Sequence, residues 1–183
     1  MNFIYYGHSC FSVNVNGSNL LFDPFIRHNK LATHIDITKI PADFIFLSHG
    51  HEDHVGDTLE IANRTNATVV SNFEIVTWFQ SKGVKSTHPM NHGGKWKFPF
   101  GTVKYVYATH SSSMPDGTYG GNPGGFVVET DQGNFYYSGD SALTTDMQLI
   151  PPTSAKLDLA LLPIGDNFTM GVDDALIASD FIK

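Results

Sequence analysis

The sequence has very little cysteine: Cys10 is the single one among 183 residues, so no disulfide can form within the chain. It also lacks an apolar run near the ~18 residues that a membrane-spanning helix needs, and no signal-peptide pattern precedes the first predicted strand. These absences predict a soluble cytoplasmic protein, because free thiols persist in a reducing compartment. Cys10 alternates with its neighbours in a predicted strand, which favours a core thiol over a nucleophile.

Positive charge is scarce as well. The chain has 11 Lys and Arg residues against 18 Asp and Glu, a formal net charge of −7. This balance disfavours nucleic acid or an anionic membrane as the main partner. The short basic cluster Lys95-Trp96-Lys97 is interpreted as one solvated strand or turn.

Two common signatures of catalysis or cofactor binding are absent. The chain has no G-x-S-x-G motif, which disfavours a nucleophilic serine of the α/β-hydrolase type. The glycine-rich run 120-GGNPGG-125 lacks the G-x-G-x-x-G spacing of a dinucleotide site. We therefore interpret this run as a flexible loop near a site of another kind.

The composition is that of a globular protein, with 41% hydrophobic and 16% charged residues. Mixed strands and helices with short polar connections predict one α/β domain covering residues 1–183. Strands are predicted at Asn2–Tyr6, Cys10–Val15, 20–22, Phe44–Leu47, Ala67–Val70, Val84–Ser86, Trp96–Phe98, Val103–Tyr107, Phe126–Glu129, Phe135–Tyr137 and Asp158–Leu162, the last as a buried strand. Helices are predicted at Thr58–Arg64, after a capping Asn72, and at Val172–Ile182.

The stretch 46-FLSHGHEDHVGD-57 concentrates groups that bind metal ions. His49, His51, Asp53 and His54 follow an apolar run that is predicted to be a buried strand. In an extended segment, residues two apart project to the same side, so His49, His51 and Asp53 are expected to converge. Imidazole and carboxylate groups suit zinc and similar divalent ions, and the sequence predicts a metal site here.

The pattern His-x-His-x-Asp-His after a buried strand resembles the signature of the metallo-β-lactamase superfamily. Other segments resemble one branch of it, the bacterial metal-dependent hydrolases of unassigned substrate, which is similar to the L-ascorbate-6-phosphate lactonases. These segments are Gly7-His8-Ser9, 20-LLFDPF-25, 88-HPMNHGG-94, 109-THSSS-113, 120-GGNPGG-125, 138-SGDS-141 and 163-PIGDNFTMG-171. The resemblance covers nearly the whole chain and implies an αβ/βα sandwich.

The resemblance also implies a centre with two divalent metal ions, zinc first, with Mn²⁺ or Fe²⁺ as alternatives. Its ligands carry over as His49, His51 and His110 for the first ion and as Asp53 and His54 for the second, with Asp140 bridging. The implied reaction is hydrolysis by a metal-bound hydroxide. Asp53 and Asp140 are the expected catalytic residues, because they hold the ions and the hydroxide, and Asp53 is also a candidate proton acceptor.

The superfamily pattern departs from this sequence near its end. A further histidine ligand of the second metal is expected in a late strand or loop, and no histidine follows His110. We expect a domain that is truncated at its C-terminus and lacks its last strand and helix, with a natural short form as the alternative. Asn167 lies in the appropriate region, but an amide is a weak zinc ligand and a turn role is preferred.

Four further residues are candidates for orienting a ligand or contacting substrate. Asp23 ends a strand and either orients a ligating histidine or forms a turn. His8 is a possible site-rim residue, with a structural hydrogen-bonding role preferred. Ser111 either contacts substrate or turns its loop, and His92 is a rim candidate. His28, His34 and His88 are interpreted as surface or structural residues.

The function indicated by the resemblance is hydrolysis of a small molecule, with a lactone or a phosphorylated compound as the leading substrate class. One alternative is a phosphodiesterase or nuclease, which the net charge of −7 disfavours. Another is a truncated chain that binds metal without turnover. A homo-oligomer is left open.

Overall fold

The computed structural model describes residues 1–183. The chain forms two compact units. The first unit consists of Met1–Met90 with Ser112–Gly121, and the second consists of Asn91–Ser111 with Asn122–Lys183. Each unit contains one β-sheet, and every strand of each sheet comes from its own unit.

The first unit is built on a six-stranded sheet in the order β1-β2-β3-β4-β5-β6. The first three strands are antiparallel neighbours, and β3 to β6 run parallel. The strands are β1 (Asn2–Gly7), β2 (Cys10–Val15), β3 (Ser18–Phe22), β4 (Phe44–Phe46), β5 (Thr68–Asn72) and β6 (Thr87–Met90). Parallel strands such as β4 are buried on both faces, which explains the unbroken apolar run of the sequence there.

Three α-helices belong to the first unit: α1 (Glu52–Val55), α2 (Thr58–Thr65) and α3 (Phe73–Ser81), and a 3-10 helix spans Ile37–Lys39. The predicted cap of α3 is confirmed, since the Asn72 side chain accepts a hydrogen bond from the Ile75 N–H at 2.9 Å. Cys10 is fully buried in the apolar core of this unit, and burial raises the pKa of its thiol, as a core cysteine requires.

The second unit is built on a five-stranded sheet in the order β11-β10-β9-β8-β7. The strands are β7 (Lys95–Phe98), β8 (Gly101–Tyr107), β9 (Gly124–Thr130), β10 (Gly133–Tyr137) and β11 (Leu159–Leu161). All neighbours are antiparallel except β10 and β11. A 3-10 helix (Thr145–Leu149), α4 (Ile150–Thr153) and α5 (Val172–Phe181) complete the unit.

One strand prediction is wrong in its position, and another is wrong in its burial. The strand predicted at Val84–Ser86 lies instead at Thr87–Met90. Val84 lies just beyond the end of α3, and its N–H donates to the carbonyl of Phe79 in that helix at 3.1 Å. Pro89 is tolerated in β6 because this strand is at the edge of the sheet.

The strand predicted to be buried at Asp158–Leu162 is β11, and it is not buried. It has one neighbour, β10, and Leu159 is 41% exposed. The apolar run indicates a strand, but its burial depends on which other strands lie beside it. None of the helices combines the length and apolar character needed to cross a membrane.

Candidate metal centre

The strand register of the first unit gathers the predicted metal-binding groups at one edge of its sheet. Phe22 of β3 pairs with Phe11 at the start of β2 and with Phe46 at the end of β4. The turn before β2 and the segments after β3 and β4 therefore meet at this edge. They carry His8, Asp23 and the stretch beginning at Ser48, as expected for a site at the carboxyl ends of parallel strands.

The stretch after β4 is not extended throughout, which corrects part of the sequence argument. His49 is followed by an extended His51, but Glu52–Val55 form one turn of helix, α1. The side chains of Asp53 and His54 therefore project from a helical turn, and His54 is fully buried. Asp53 does not converge with His49 and His51 by strand alternation.

Gly50 is required by the path of the chain at this point. A Cβ added to it would lie 2.7 Å from Met114 Sδ and 3.0 Å from the Ser113 carbonyl oxygen. The Gly50 N–H donates to Ser112 Oγ at 3.1 Å, and Ser112 Oγ in turn donates to the Gly120 carbonyl at 2.9 Å. Segment 112–120 therefore packs closely against the backbone of the loop between His49 and His51.

A buried carboxylate, Asp23, connects two of the histidines. Asp23 is fully buried, and its Oδ1 accepts the Ser48 N–H at 2.8 Å. Its Oδ2 lies 2.5 Å from Ser48 Oγ and 2.8 Å from His54 Nδ1. Ser48 Oγ also lies 2.8 Å from His49 Nδ1. Asp23 therefore contacts His54 directly and His49 through Ser48.

This network determines which nitrogen of each ring carries a proton. Ionised Asp23 can only accept hydrogen bonds, so His54 Nδ1 and Ser48 Oγ must donate to it. Since the Ser48 hydroxyl proton is used, its oxygen accepts from His49 Nδ1. Both rings then have a protonated Nδ1 and an Nε2 with a lone pair, the form in which histidine binds a metal ion.

His49 and His51 are spaced as two ligands of one ion would be. Their facing atoms, His49 Nε2 and His51 Nδ1, are 3.0 Å apart. Two nitrogens at about 2.0–2.1 Å from a tetrahedral ion lie about 3.3 Å apart, so a small relaxation suffices. The pair fits a divalent metal ion.

A second group in the same unit consists of His8, Asp53 and His54. One ligand atom from each lies within 4.8 Å of the others. His8 Nε2 is 3.1 Å from Asp53 Oδ2, and His54 Nε2 is 4.0 Å from the same oxygen. The hydrogen bond from His8 is the largest cause that lowers the pKa of Asp53 from 3.8 to about 2, against the opposing effect of burial.

Two residues of this region have left-handed backbones that non-glycine residues rarely adopt. His8 has φ of 53° and Asp23 has φ of 39°. Such conformations cost on the order of 1–3 kcal/mol and are concentrated at functional sites. Asp57, also buried, secures the loop after Asp23 by accepting the N–H groups of Ile26 and Arg27 at 2.5 and 3.0 Å.

In the second unit, His110 and Asp140 lie together. They follow β8 and β10, which run in the same direction because each is antiparallel to β9. His110 Nε2 is 3.8 Å from Asp140 Oδ2, and both side chains are largely buried, at 11% and 18% exposure. The Ala142 N–H donates to the Thr109 carbonyl at 3.0 Å, so the two loops are joined by backbone bonding.

The remaining candidates of the second unit lie in other settings. The His92 ring stacks on Tyr105 with centroids 5.0 Å apart, and His92 Nε2 lies 2.9 Å from the Pro123 carbonyl oxygen. Ser111 is exposed beside His110. Asn167 is exposed, with φ of 49°, and its N–H donates to Asp166 Oδ1 at 2.9 Å, as a turn residue does.

Sequence reasoning missed Ser48. Its hydroxyl links Asp23 to His49, yet a serine between a strand and a loop is common and carries no signal alone. The available clue was position, since Ser48 directly precedes the first histidine of the cluster.

Comparisons with known proteins show the family of this chain. The family model described as "Beta-lactamase superfamily domain" matches residues 2–182. A protein named "UPF0173 metal-dependent hydrolase" from Flavobacterium johnsoniae is 58% identical over 183 residues, which is 100% of this chain and 80% of that protein.

Two solved structures have similar folds. Igni18, a metallo hydrolase from the archaeon Ignicoccus hospitalis, superposes with a TM-score of 0.86 at 34% identity, covering 98% of this chain and 77% of that one. The metallo-beta-lactamase fold protein YhfI from Bacillus subtilis superposes with a TM-score of 0.62 at 17% identity, covering 88% of this chain and 66% of that one. The fold expectation is thereby confirmed, and the chain belongs to the β-lactamase superfamily domain family, within the metallo-β-lactamase superfamily.

Proposed function

We propose that this chain is a metal-dependent hydrolase acting on a small molecule. The observation that carries the proposal is the hydrogen-bond network of Asp23 and Ser48, which engages Nδ1 of both His49 and His54 and so orients the two rings. The names of the relative from Flavobacterium johnsoniae and of Igni18 support it, since both are called hydrolases that depend on or contain metal.

The proposed ligands follow the resemblance and the donor chemistry. His49 and His51, with His110, would hold one ion, and the second would be held by Asp53, His54 and Asp140. When bound, such ions supply Lewis acidity and lower the pKa of water to about 7. Zinc is the favoured metal, because neutral imidazole and carboxylate groups bind it well, with Mn²⁺ or Fe²⁺ as alternatives.

We assign Asp53 a holding role. In the metal-free chain the hydrogen bond from His8 lowers the pKa of this carboxyl to about 2, so it is in the ionised form that binds a metal ion. Asp23, fully buried, keeps the two histidine rings in fixed orientation. The residues of the chain would thus orient the reacting groups in advance, which lowers the cost of reaching the transition state.

A cavity beside His8 is the proposed position of a small-molecule substrate. Its volume is about 380 Å³, and its lining includes Tyr5, Tyr6, His8, Asn29 and His34. This size lies in the range of ligand sites. Its aromatic and polar lining suits a small molecule such as a lactone or a phosphorylated compound. The net charge of −7 weighs against nucleic acid, and a cytoplasmic location remains our proposal from the single cysteine.

The test combines metal removal with a substrate panel. Lactones and bis-p-nitrophenyl phosphate are assayed with the protein as isolated, after chelation, and after zinc is restored. We expect lactone hydrolysis that chelation abolishes and zinc restores. Full activity after verified metal removal would overturn the metal-dependent mechanism, and cleavage of the phosphodiester alone would favour the alternative. His28→Asn, an exposed histidine, is the control variant.

A further inference from the structure

His8 occupies a position that the metal-ligand pattern of the sequence leaves unassigned. It lies in the short turn between β1 and β2, and strand register brings this turn to the edge where Asp23 and His49 emerge. From there its ring reaches the Asp53 and His54 side chains of α1, far along the chain.

We propose that His8 is a further ligand of the ion assigned above to Asp53, His54 and Asp140. The proposal rests on the metal-dependent function proposed above. His8 would supply an imidazole to this ion from the turn between β1 and β2.

The donor atoms are arranged as this role requires. One atom each of His8, Asp53 and His54 lies within 4.8 Å of the other two. His54 Nδ1 is engaged by Asp23 at 2.8 Å, so its Nε2 is the atom turned to the group. His8 Nε2, 3.1 Å from Asp53 Oδ2, is likewise on the inner side of its ring.

The ring of His8 is positioned by its neighbours. It packs edge-on against Phe25, with centroids 5.8 Å apart, and against the His54 ring at 5.2 Å. The Tyr5 hydroxyl donates to the His8 carbonyl at 2.7 Å and supports the backbone of the turn. The side chain is therefore held toward Asp53 before any ion arrives.

The energies argue against a simple ion pair as the reason for this arrangement. The His8 and Asp53 side chains are 39% and 47% exposed, and such exposed pairs contribute little to stability. The left-handed backbone of His8 is itself unfavourable. A weak surface pair is therefore a poor reason for a histidine in this turn, whereas a metal–imidazole bond would be a sufficient one.

The test is zinc binding by the full chain carrying His8→Asn. Asparagine tolerates the left-handed backbone, so the turn is kept while the imidazole is lost. Competition with a chromophoric chelator gives the number of ions and their affinities. We expect the His8→Asn variant to lose more than 100-fold affinity at one site, beyond the 10–100-fold typical of residues that only orient a ligand. His28→Asn should bind as the wild type does.

A direct spectroscopic readout accompanies the affinities. In ¹⁵N-histidine-labelled protein loaded with ¹¹³Cd²⁺, a one-bond coupling is expected at His8 Nε2. No coupling at His8, together with a loss of 100-fold or less in the variant, would overturn the ligand role. If the wild type binds no ion, the proposed function fails as well. If it binds two ions and His8→Asn binds them equally well, only the assignment of His8 fails.

Discussion

The buried carboxylate of Asp23 lies 2.8 Å from His54 Nδ1, and the same oxygen lies 2.5 Å from the hydroxyl of Ser48. A single oxygen thus receives two hydrogen bonds in a site without access to solvent. Hydrogen bonds to a buried charge are among the strongest in proteins, so this residue should influence both stability and metal affinity.

Replacing Asp23 with Asn tests that relationship. The amide has one oxygen and two N–H donors, so donors would face donors at His54 or Ser48. We expect the free energy of unfolding to fall by about 1–3 kcal/mol. Zinc affinity should fall about 10–100-fold, because the His54 ring loses its orientation and tautomer. Urea unfolding and chelator competition measure the two effects.

Asp43→Asn is the matched control for that variant. Asp43 is exposed and accepts the Asn19 N–H at 2.7 Å, within the first unit but outside the cluster. The Asp43→Asn substitution should leave zinc affinity unchanged. Wild-type zinc affinity in Asp23→Asn would show that Asp23 does not orient the histidines.

A Gly50→Ala substitution should damage the loop between His49 and His51. The new methyl would lie 2.7 Å from Met114 Sδ and 3.0 Å from the Ser113 carbonyl oxygen. Overpacking of this kind costs about 1–3 kcal/mol, measured by thermal or urea unfolding. Gly165→Ala, whose Cβ would lie 3.4 Å from Thr169 Oγ1, is expected to change stability far less. Equal effects of the two substitutions would contradict the close approach at Gly50.

The pKa of Asp53 should depend on His8 in the metal-free protein. The folded value is about 2 against an ordinary 3.8, and the His8 hydrogen bond is the largest cause. In His8→Asn the pKa should move up toward 3.8, as followed by the carboxyl ¹³C shift during acid titration. Because the folded pKa is lowered, the stability it contributes is complete above pH 3.8 and is lost as the pH falls through about 2.

An unchanged pKa of about 2 for Asp53 in His8→Asn would show that His8 does not act on this carboxylate. Asp36 serves as an internal control. Its pKa is lowered by hydrogen bonds from Thr38, and it should titrate identically in both proteins.

The fluorescence of Trp78 should change when segment 112–121 loosens at acid pH. Its Nε1–H donates to Asp116 Oδ2 at 2.8 Å, and bonds from Thr118 and then Trp78 lower the pKa of Asp116. The stability that ionised Asp116 contributes is present above pH 3.8. It is lost as the pH falls through the lowered pKa of this group in the folded protein. Trp78 emission in a Trp96→Phe background should change over that range and not in Asp116→Asn. An equal change of Trp78 emission at acid pH with and without Asp116→Asn would show that Asp116 does not cause it.

Much of the first unit follows from the sequence because its signals are local. The alternation at Cys10–Val15 and the capping Asn72 each determine their element from a few neighbouring residues. The metal-binding stretch is recognisable for the same reason, since its four ligand-type residues are adjacent.

The remaining features of the site and of the fold depend on contacts between parts of the chain that are remote in sequence. The helical turn at Glu52–Val55 is too short to show a period, so the direction of His54 was not predictable. The contacts of His8 with Asp53 and of Ser48 with Asp23 exist only once the strands are in register. The exposure of Leu159 likewise depends on the sheet order and not on its own segment.

The left-handed backbone of His8 also concerns anyone who redesigns this protein for thermostability. A procedure that scores folding alone would place glycine or asparagine at this position, since these tolerate such dihedral angles with less strain. The redesigned chain would keep its fold and would lose the imidazole that faces Asp53. At this position, improvement of the scaffold and retention of the site are opposing goals.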